Sequence, residues 1–121
     1  MNEGRIVAAV DDMFFAAKIR GAAQHVGRQI DFVKSRAELD ESLASSPVAM
    51  LIIDLNSDRM EPIQVIQHLK SQADLKAIPI LGFLSHVQVD LKQQAEQAGC
   101  DHVMPRSAFS QRLPEILSAG L

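Results

Sequence analysis

The chain has 121 residues, of which 47% are hydrophobic and 22% charged, and a net charge of −3, a composition typical of one soluble globular domain rather than a disordered or fibrous chain. The acidic balance and the lack of Trp and Tyr argue against a dedicated nucleic-acid binder, which carries a basic face and base-stacking aromatic residues. The longest strongly apolar run, residues 48–53, is too short to span a bilayer, and the N-terminus shows no signal peptide. The single cysteine excludes a disulfide within the chain. We therefore expect a cytoplasmic protein without membrane association.

The first half of the chain alternates between short apolar runs and helical patterns. The continuous apolar run at residues 6–10 predicts a strand that is buried on both faces. Apolar residues recur at helical spacing over residues 15–26, which predicts a helix. A weaker second strand is predicted at residues 30–33. Ser35 and Glu38 then form a capping box, which predicts the start of a short second helix.

The second half continues this alternation. Apolar runs predict strands at residues 48–53, 78–84 and 101–104. Helices are predicted from Pro62, over residues 87–98, and from a cap at Ser107. Pro114 lies inside the last helical pattern, where we expect it to distort the helix or delay its start. Strictly alternating strands and helices favour an α/β sandwich of three layers, with a parallel sheet between two layers of helices.

Three carboxylates follow two of the predicted strands. Asp11 and Asp12 come directly after the first strand, and Asp54 ends the third. Ligands of open α/β sheets bind beyond the carboxyl ends of the strands, and carboxylates that converge there repel one another unless a cation neutralises them. Mg²⁺ suits such oxygen ligands, and the backbone carbonyl of Asn56 lies within reach of the same ion. The alternative is that these are solvated loop acids or helix caps, a role open to Asp12 in particular.

At these positions the chain resembles response-regulator receiver domains from end to end, and single-domain chemotaxis receivers most of all. The resemblance implies one receiver-like domain over residues 1–121, with a flavodoxin-like, doubly wound, five-stranded sheet in the order 2-1-3-4-5. The matching segments are Val10-Asp11-Asp12, Asp54-Leu55-Asn56, Ile78-Pro79-Ile80 and Gln97-Ala98-Gly99.

The resemblance also implies a function. Receivers accept a phosphoryl group from a histidine kinase or phosphotransfer protein and pass the signal to a downstream protein. By the resemblance Asp54 is the phosphoacceptor, while Asp11, Asp12, Asp54 and the backbone carbonyl of Asn56 hold Mg²⁺. Such a stand-alone receiver is not an enzyme beyond the self-phosphorylation and autodephosphorylation of Asp54.

The sequence departs from the receiver pattern at the positions that transmit phosphorylation. Leu84 stands where receivers carry a Thr or Ser that binds the phosphoryl group, and Ser85 beside it needs a local bulge to reach the site, because neighbouring strand residues face opposite ways. Arg106 replaces the usual Lys, and it follows Pro105 where that Lys precedes a proline. Val103 replaces the switch aromatic residue.

These departures leave two alternatives to a phosphorelay receiver. One is a pseudo-receiver, a protein-binding module that works without phosphorylation. The other is a small Mg²⁺-dependent phosphatase-like enzyme with Asp54 as nucleophile, which is weaker because no general acid is evident. We further expect one exposed residue in Met13-Phe14-Phe15, His86 as a polar loop residue near the site, and Phe109 as an anchor on a largely fixed binding face.

Overall fold

The computed structural model describes residues 4–85 and 88–119, which form five strands and five helices in strict alternation. The strands are β1 (Arg5–Ala9), β2 (Ile30–Val33), β3 (Val48–Asp54), β4 (Ile80–Leu84) and β5 (His102–Pro105). The helices are α1 (Met13–Val26), α2 (Arg36–Ser45), α3 (Pro62–Ser71), α4 (Val89–Ala98) and α5 (Arg106–Ala119), with a short 3₁₀ helix at Asp58–Met60. All strand pairs are parallel and the order is β2-β1-β3-β4-β5, which confirms the predicted fold.

Two apolar clusters, one on each face of the sheet, form the core. Because successive side chains of a strand point to opposite faces, Ile6 and Ala8 join one cluster and Val7 and Ala9 join the other. Helices α1 and α5 complete the first cluster, and α2, α3 and α4 complete the second. This two-sided burial explains why residues 6–10 form an unbroken apolar run, and it confirms the three-layer arrangement.

Several boundaries differ from the predicted ones. β4 begins at Ile80, two residues later than expected, and β5 begins after Asp101. Asp101 instead accepts a hydrogen bond from the Ile80 amide at 2.8 Å and pairs with Lys70 at 3.1 Å, so its side chain links the starts of the two strands. The predicted start of α4 at position 87 lies outside the described residues.

The start of α5 also differs, since the helix begins at Arg106 and Ser107 lies inside it rather than capping it. Pro114 neither ends nor delays the helix. It is exposed, and Ser110, whose carbonyl loses its helical partner, is half-buried.

Two expectations about aromatic and apolar exposure were wrong. Both Met13 and Phe14 are exposed, at 74% and 91%, because Asp12 caps α1 and places them in the first turn, and only Phe15 of the three is buried. Phe109 is fully buried in the core and cannot anchor a partner.

Within residues 4–85 and 88–119, no helix is long and apolar enough to cross a membrane.

Candidate functional site

The carboxyl edge of the sheet brings together most of the predicted site. β1 and β3 are neighbours in the sheet, so Asp12 after β1 lies beside Asp54 at the end of β3. Arg106, the first residue of α5, reaches both acids: its Nη2 lies 3.4 Å from Asp54 Oδ2 and its Nη1 lies 3.7 Å from Asp12 Oδ2. One guanidinium therefore bridges the two carboxylates.

Asp54 is nearly buried, with 4% of its surface exposed. Its Oδ1 accepts a hydrogen bond from the Asn56 amide at 2.9 Å, and its Oδ2 faces Arg106. Burial is the largest effect on the Asp54 carboxyl and raises its pKa above the ordinary value, and the charges of Asp11 and Asp12 also raise it. The Asn56 amide and the Arg106 charge act against this rise.

Asp12 has two roles at once. Its Oδ1 caps α1 by accepting hydrogen bonds from the Phe14 and Phe15 amides at 3.0 and 3.1 Å, which is the helix-cap role left open by the sequence. Its Oδ2 pairs with Arg106. Asp11 is half-buried, and its side chain has no hydrogen bond or ion pair with the part of the chain that the structure describes.

Arg106 lies on an aromatic cluster formed by Phe15, Phe83 and Phe109. Its guanidinium carbon is 4.8 Å from the centre of the Phe15 ring and 5.4 Å from that of Phe83, within the range of a cation–π interaction. Phe83 stacks on Phe109 with ring centres 4.8 Å apart and an angle of 6°. The Arg106 Nε is buried and has no hydrogen-bond partner among the described residues. The sequence showed each Phe only as an apolar position, because their contact depends on the packing of α1, β4 and α5.

Leu84 and Ser85 differ sharply in environment. Leu84 is buried in the core cluster of α2, α3 and α4, and it pairs in regular register with Pro105. β4 contains no bulge between Ile80 and Leu84. Ser85 follows the strand as an exposed residue, and the bulge that would turn its side chain towards the site is absent from these residues. Val103 is half-buried against the same cluster as Leu84.

Asn56 has a side-chain role that the sequence did not indicate. Its Oδ1 accepts a hydrogen bond from the Ser85 amide at 2.7 Å, and its Nδ2 donates to Gln88 Oε1 at 2.8 Å. The side chain therefore links the end of β3 to the segment after β4. His86, expected near the site, lies outside the described residues.

The carboxylates have the right chemistry for Mg²⁺ but are already engaged. Asp11, Asp12 and Asp54 offer hard oxygen ligands, yet Arg106 pairs with two of the three. Over residues 4–85 and 88–119, no group of three His, Cys, Asp or Glu side chains is placed to hold a metal ion.

Structural comparison gives the fold. No known protein family and no curated protein matches the sequence. The structure is similar to a response regulator from Hahella chejuensis (TM-score 0.87, 21% identity, covering 98% of this chain and 96% of that one). It is also similar to the chemotaxis response regulator CheY4 of Vibrio cholerae (TM-score 0.83, 17% identity, covering 98% of each chain). A third similar structure is a signal receiver domain from Bermanella marisrubri (TM-score 0.80, 22% identity, covering 92% of each chain). The chain therefore has the receiver-domain fold over nearly its whole length, which confirms the resemblance.

Proposed function

We propose that this chain is a stand-alone response-regulator receiver that accepts a phosphoryl group on Asp54. The observation that carries the proposal is how the Asp54 carboxylate is held. Its Oδ1 accepts a hydrogen bond from the Asn56 amide, and its Oδ2 faces the guanidinium of Arg106. The phosphoryl donor is a histidine kinase or a phosphotransfer protein, and the phosphorylated chain passes the signal to a downstream protein. We place the chain in the cytoplasm, with no nucleic acid and no membrane as partner.

In this proposal Asp54 Oδ2 attacks the phosphorus of a phosphohistidine, and a new P–O bond forms as the P–N bond to the imidazole breaks. Arg106 donates to the oxygens of the transferring group, whose negative charge it stabilises. Arg106 and the Asn56 amide also lower the pKa of Asp54 against the effect of burial, which favours the ionised carboxylate that the attack needs. The chain turns over no other substrate, apart from the loss of its own phosphoryl group to water.

Mg²⁺ is the proposed cofactor. Asp11, Asp12, Asp54 and the backbone carbonyl of Asn56 would hold it, weakly because Arg106 pairs with two of these carboxylates, and it would supply further positive charge for the transferring group.

A second candidate is a pseudo-receiver that binds a protein partner without phosphorylation. Two observations favour it: Leu84 is buried in the core, where it offers no hydroxyl to a phosphoryl group, and Arg106 already pairs with Asp12 and Asp54. The phosphatase-like alternative needs a general acid, and the described groups in contact with the Asp54 carboxylate are the Asn56 amide and Arg106.

Phosphorylation of the purified protein by phosphoramidate with Mg²⁺, measured by intact mass, tests the first proposal against the second. We expect one added phosphoryl group on the wild type and none on Asp54→Asn. Asp58→Asn is the matched control, because Asp58 is an exposed acid at the start of the 3₁₀ helix that follows β3, and it should be phosphorylated like the wild type. A folded wild type that gains no phosphoryl group contradicts phosphorylation and supports the pseudo-receiver.

A further inference from the structure

Arg106 takes up the carboxylate oxygens that a divalent cation at this site would need. Its two terminal nitrogens lie 3.7 Å from Asp12 Oδ2 and 3.4 Å from Asp54 Oδ2. The other oxygens of the same carboxylates accept backbone amides, two at Asp12 and one at Asp54. Of the three acids, only Asp11 is without a hydrogen bond or ion pair to the described residues.

The surroundings hold the guanidinium in this place. The guanidinium carbon lies over the Phe15 and Phe83 rings, which also pack on each other with centres 4.8 Å apart. The side chain is 29% exposed and starts from the first residue of α5, so its base is fixed by the helix. A Lys at this position would offer a strongly hydrated point charge on a flexible stem, without a planar group that stacks on rings.

We propose that Arg106 is a built-in competitor of the divalent cation: it pairs with Asp12 and Asp54 in the metal-free protein, and Mg²⁺ or Mn²⁺ binds tightly only when the guanidinium is removed. The inference concerns the site of the proposed function and rests on that function only for the choice of metal. Two effects produce the competition, since the cation and the guanidinium need the same oxygens and their positive charges repel each other.

Binding of Mn²⁺ alone, measured by electron paramagnetic resonance of the free ion, tests this in the wild type and in Arg106→Gln. Gln removes the charge and keeps a polar side chain with part of the apolar stem. We expect binding at least tenfold tighter in the variant, which corresponds to about 1.4 kcal/mol. Adding Asp11→Asn to Arg106→Gln should abolish the gain, which locates the ion at this edge of the sheet.

Arg112→Gln is the matched control. Arg112 lies on the same helix, is half-exposed and pairs with Glu115 at 3.5 Å, so its substitution makes the same change in net charge away from the site. We expect its Mn²⁺ affinity to stay that of the wild type. Circular dichroism of each variant reports whether it is folded.

Equal or weaker Mn²⁺ binding by folded Arg106→Gln overturns the proposal, and so does a complete lack of binding by both proteins. If Arg106→Gln fails to fold, Arg106→Met replaces it, because Met also removes the charge and keeps an apolar stem, and an affinity no higher than that of the wild type then refutes the competition. No phosphodonor is present, so a chain that cannot be phosphorylated still gives the expected gain in affinity. A chain that is phosphorylated but shows no gain contradicts this inference alone.

Discussion

Replacing Asp54 by Asn is expected to stabilise the protein at neutral pH. The amide retains an oxygen that accepts the hydrogen bond from the Asn56 amide, which is 2.9 Å long in the wild type. It loses the ion pair with Arg106 at 3.4 Å, and it removes a charge that is buried and repelled by Asp11 and Asp12. Because burial is the largest effect on the pKa of Asp54 and raises it, the neutral side chain is favoured in the folded state.

The size of the effect follows from the pKa of Asp54 in the two states. Each unit by which folding raises the pKa makes the ionised form less stable by about 1.4 kcal/mol. Because Arg106 offsets only part of the effect of burial, we expect Asp54→Asn to raise the free energy of unfolding by on the order of 1 kcal/mol, an ordinary size for a single substitution. For a chain of this length that corresponds to a rise of roughly 4 °C in melting temperature.

The dependence on pH has a definite sign. A carboxyl whose pKa is raised by folding destabilises the native state only where it is ionised, so the cost is absent below the pKa of the unfolded chain, about 3.9. It grows as the pH rises through the higher pKa of the folded state and is constant above it. The advantage of Asp54→Asn over the wild type should therefore be largest at neutral pH and vanish in acid.

Urea unfolding of both proteins without metal, at neutral pH and near pH 4, measures this difference. Asp58→Asn is the control for the loss of one negative charge, since Asp58 is exposed at the start of the nearby 3₁₀ helix, and we expect it to stay within about 0.5 kcal/mol of the wild type. An Asp54→Asn protein that is no more stable than the wild type at neutral pH, or whose advantage grows in acid, refutes the reasoning.

Two further predictions concern the frame of the site. Gly82→Ala should lower the free energy of unfolding by about 1–3 kcal/mol, because a Cβ there would lie 2.9 Å from Leu55 Cδ1. Gly21→Ala on α1 should instead raise it by about 0.5–1 kcal/mol, because no atom lies within 4 Å of the added Cβ. Equal effects of the two substitutions in urea unfolding would contradict this prediction. Asn56→Ala removes the side-chain acceptor of the Ser85 amide and should speed hydrogen exchange of that amide, with unchanged exchange as the opposing result.

The fold was predictable because each element carries its own signal. Residues 6–10 and 48–53 are apolar without interruption since both faces of β1 and β3 are covered. The first residues of β4 were not predictable in the same way. Asp101 reaches back to the Ile80 amide at 2.8 Å, and nothing in the local pattern of residues 78–84 indicates that a distant side chain marks the start of the strand.

The site was predictable only as far as the rule for parallel strands extends. That rule brings Asp12 and Asp54 to one edge, and the structure places them there together with Arg106. It does not indicate which cation neutralises them. The bridging position of Arg106 depends on the Phe15 and Phe83 rings beneath it, and these come from two elements whose packing is set by tertiary structure. The side chain of Asn56 was missed for the same reason, since its partners follow a different strand.

A phosphoryl group on Asp54 is expected to have little effect beyond the site. In receivers the response depends on a hydroxyl at the position of Leu84 and an aromatic residue at that of Val103. Here Leu84 is 3% exposed and Val103 packs against the same core cluster. Because both side chains are apolar, neither gains a hydrogen bond when a phosphoryl group occupies the site. A ligand shifts a conformational equilibrium only through contacts that differ between the two states, and Arg106 and backbone amides are the groups left to make them.

Amide nuclear magnetic resonance with beryllofluoride, a mimic of the phosphoryl group, measures the extent of this response. We expect shifts at residues 55–57, which report that the mimic has bound, and none at Val103 or residues 89–91. Leu84→Thr is the comparison, because it restores a hydroxyl at the end of β4, and its shifts should extend into α4. Wild-type shifts that reach Val103 and residues 89–91 contradict the prediction, and they would mean that Ser85 leaves its bond to Asn56 and turns into the site. The buried Leu84 would then be a neighbour of the switch rather than the reason that it is lost.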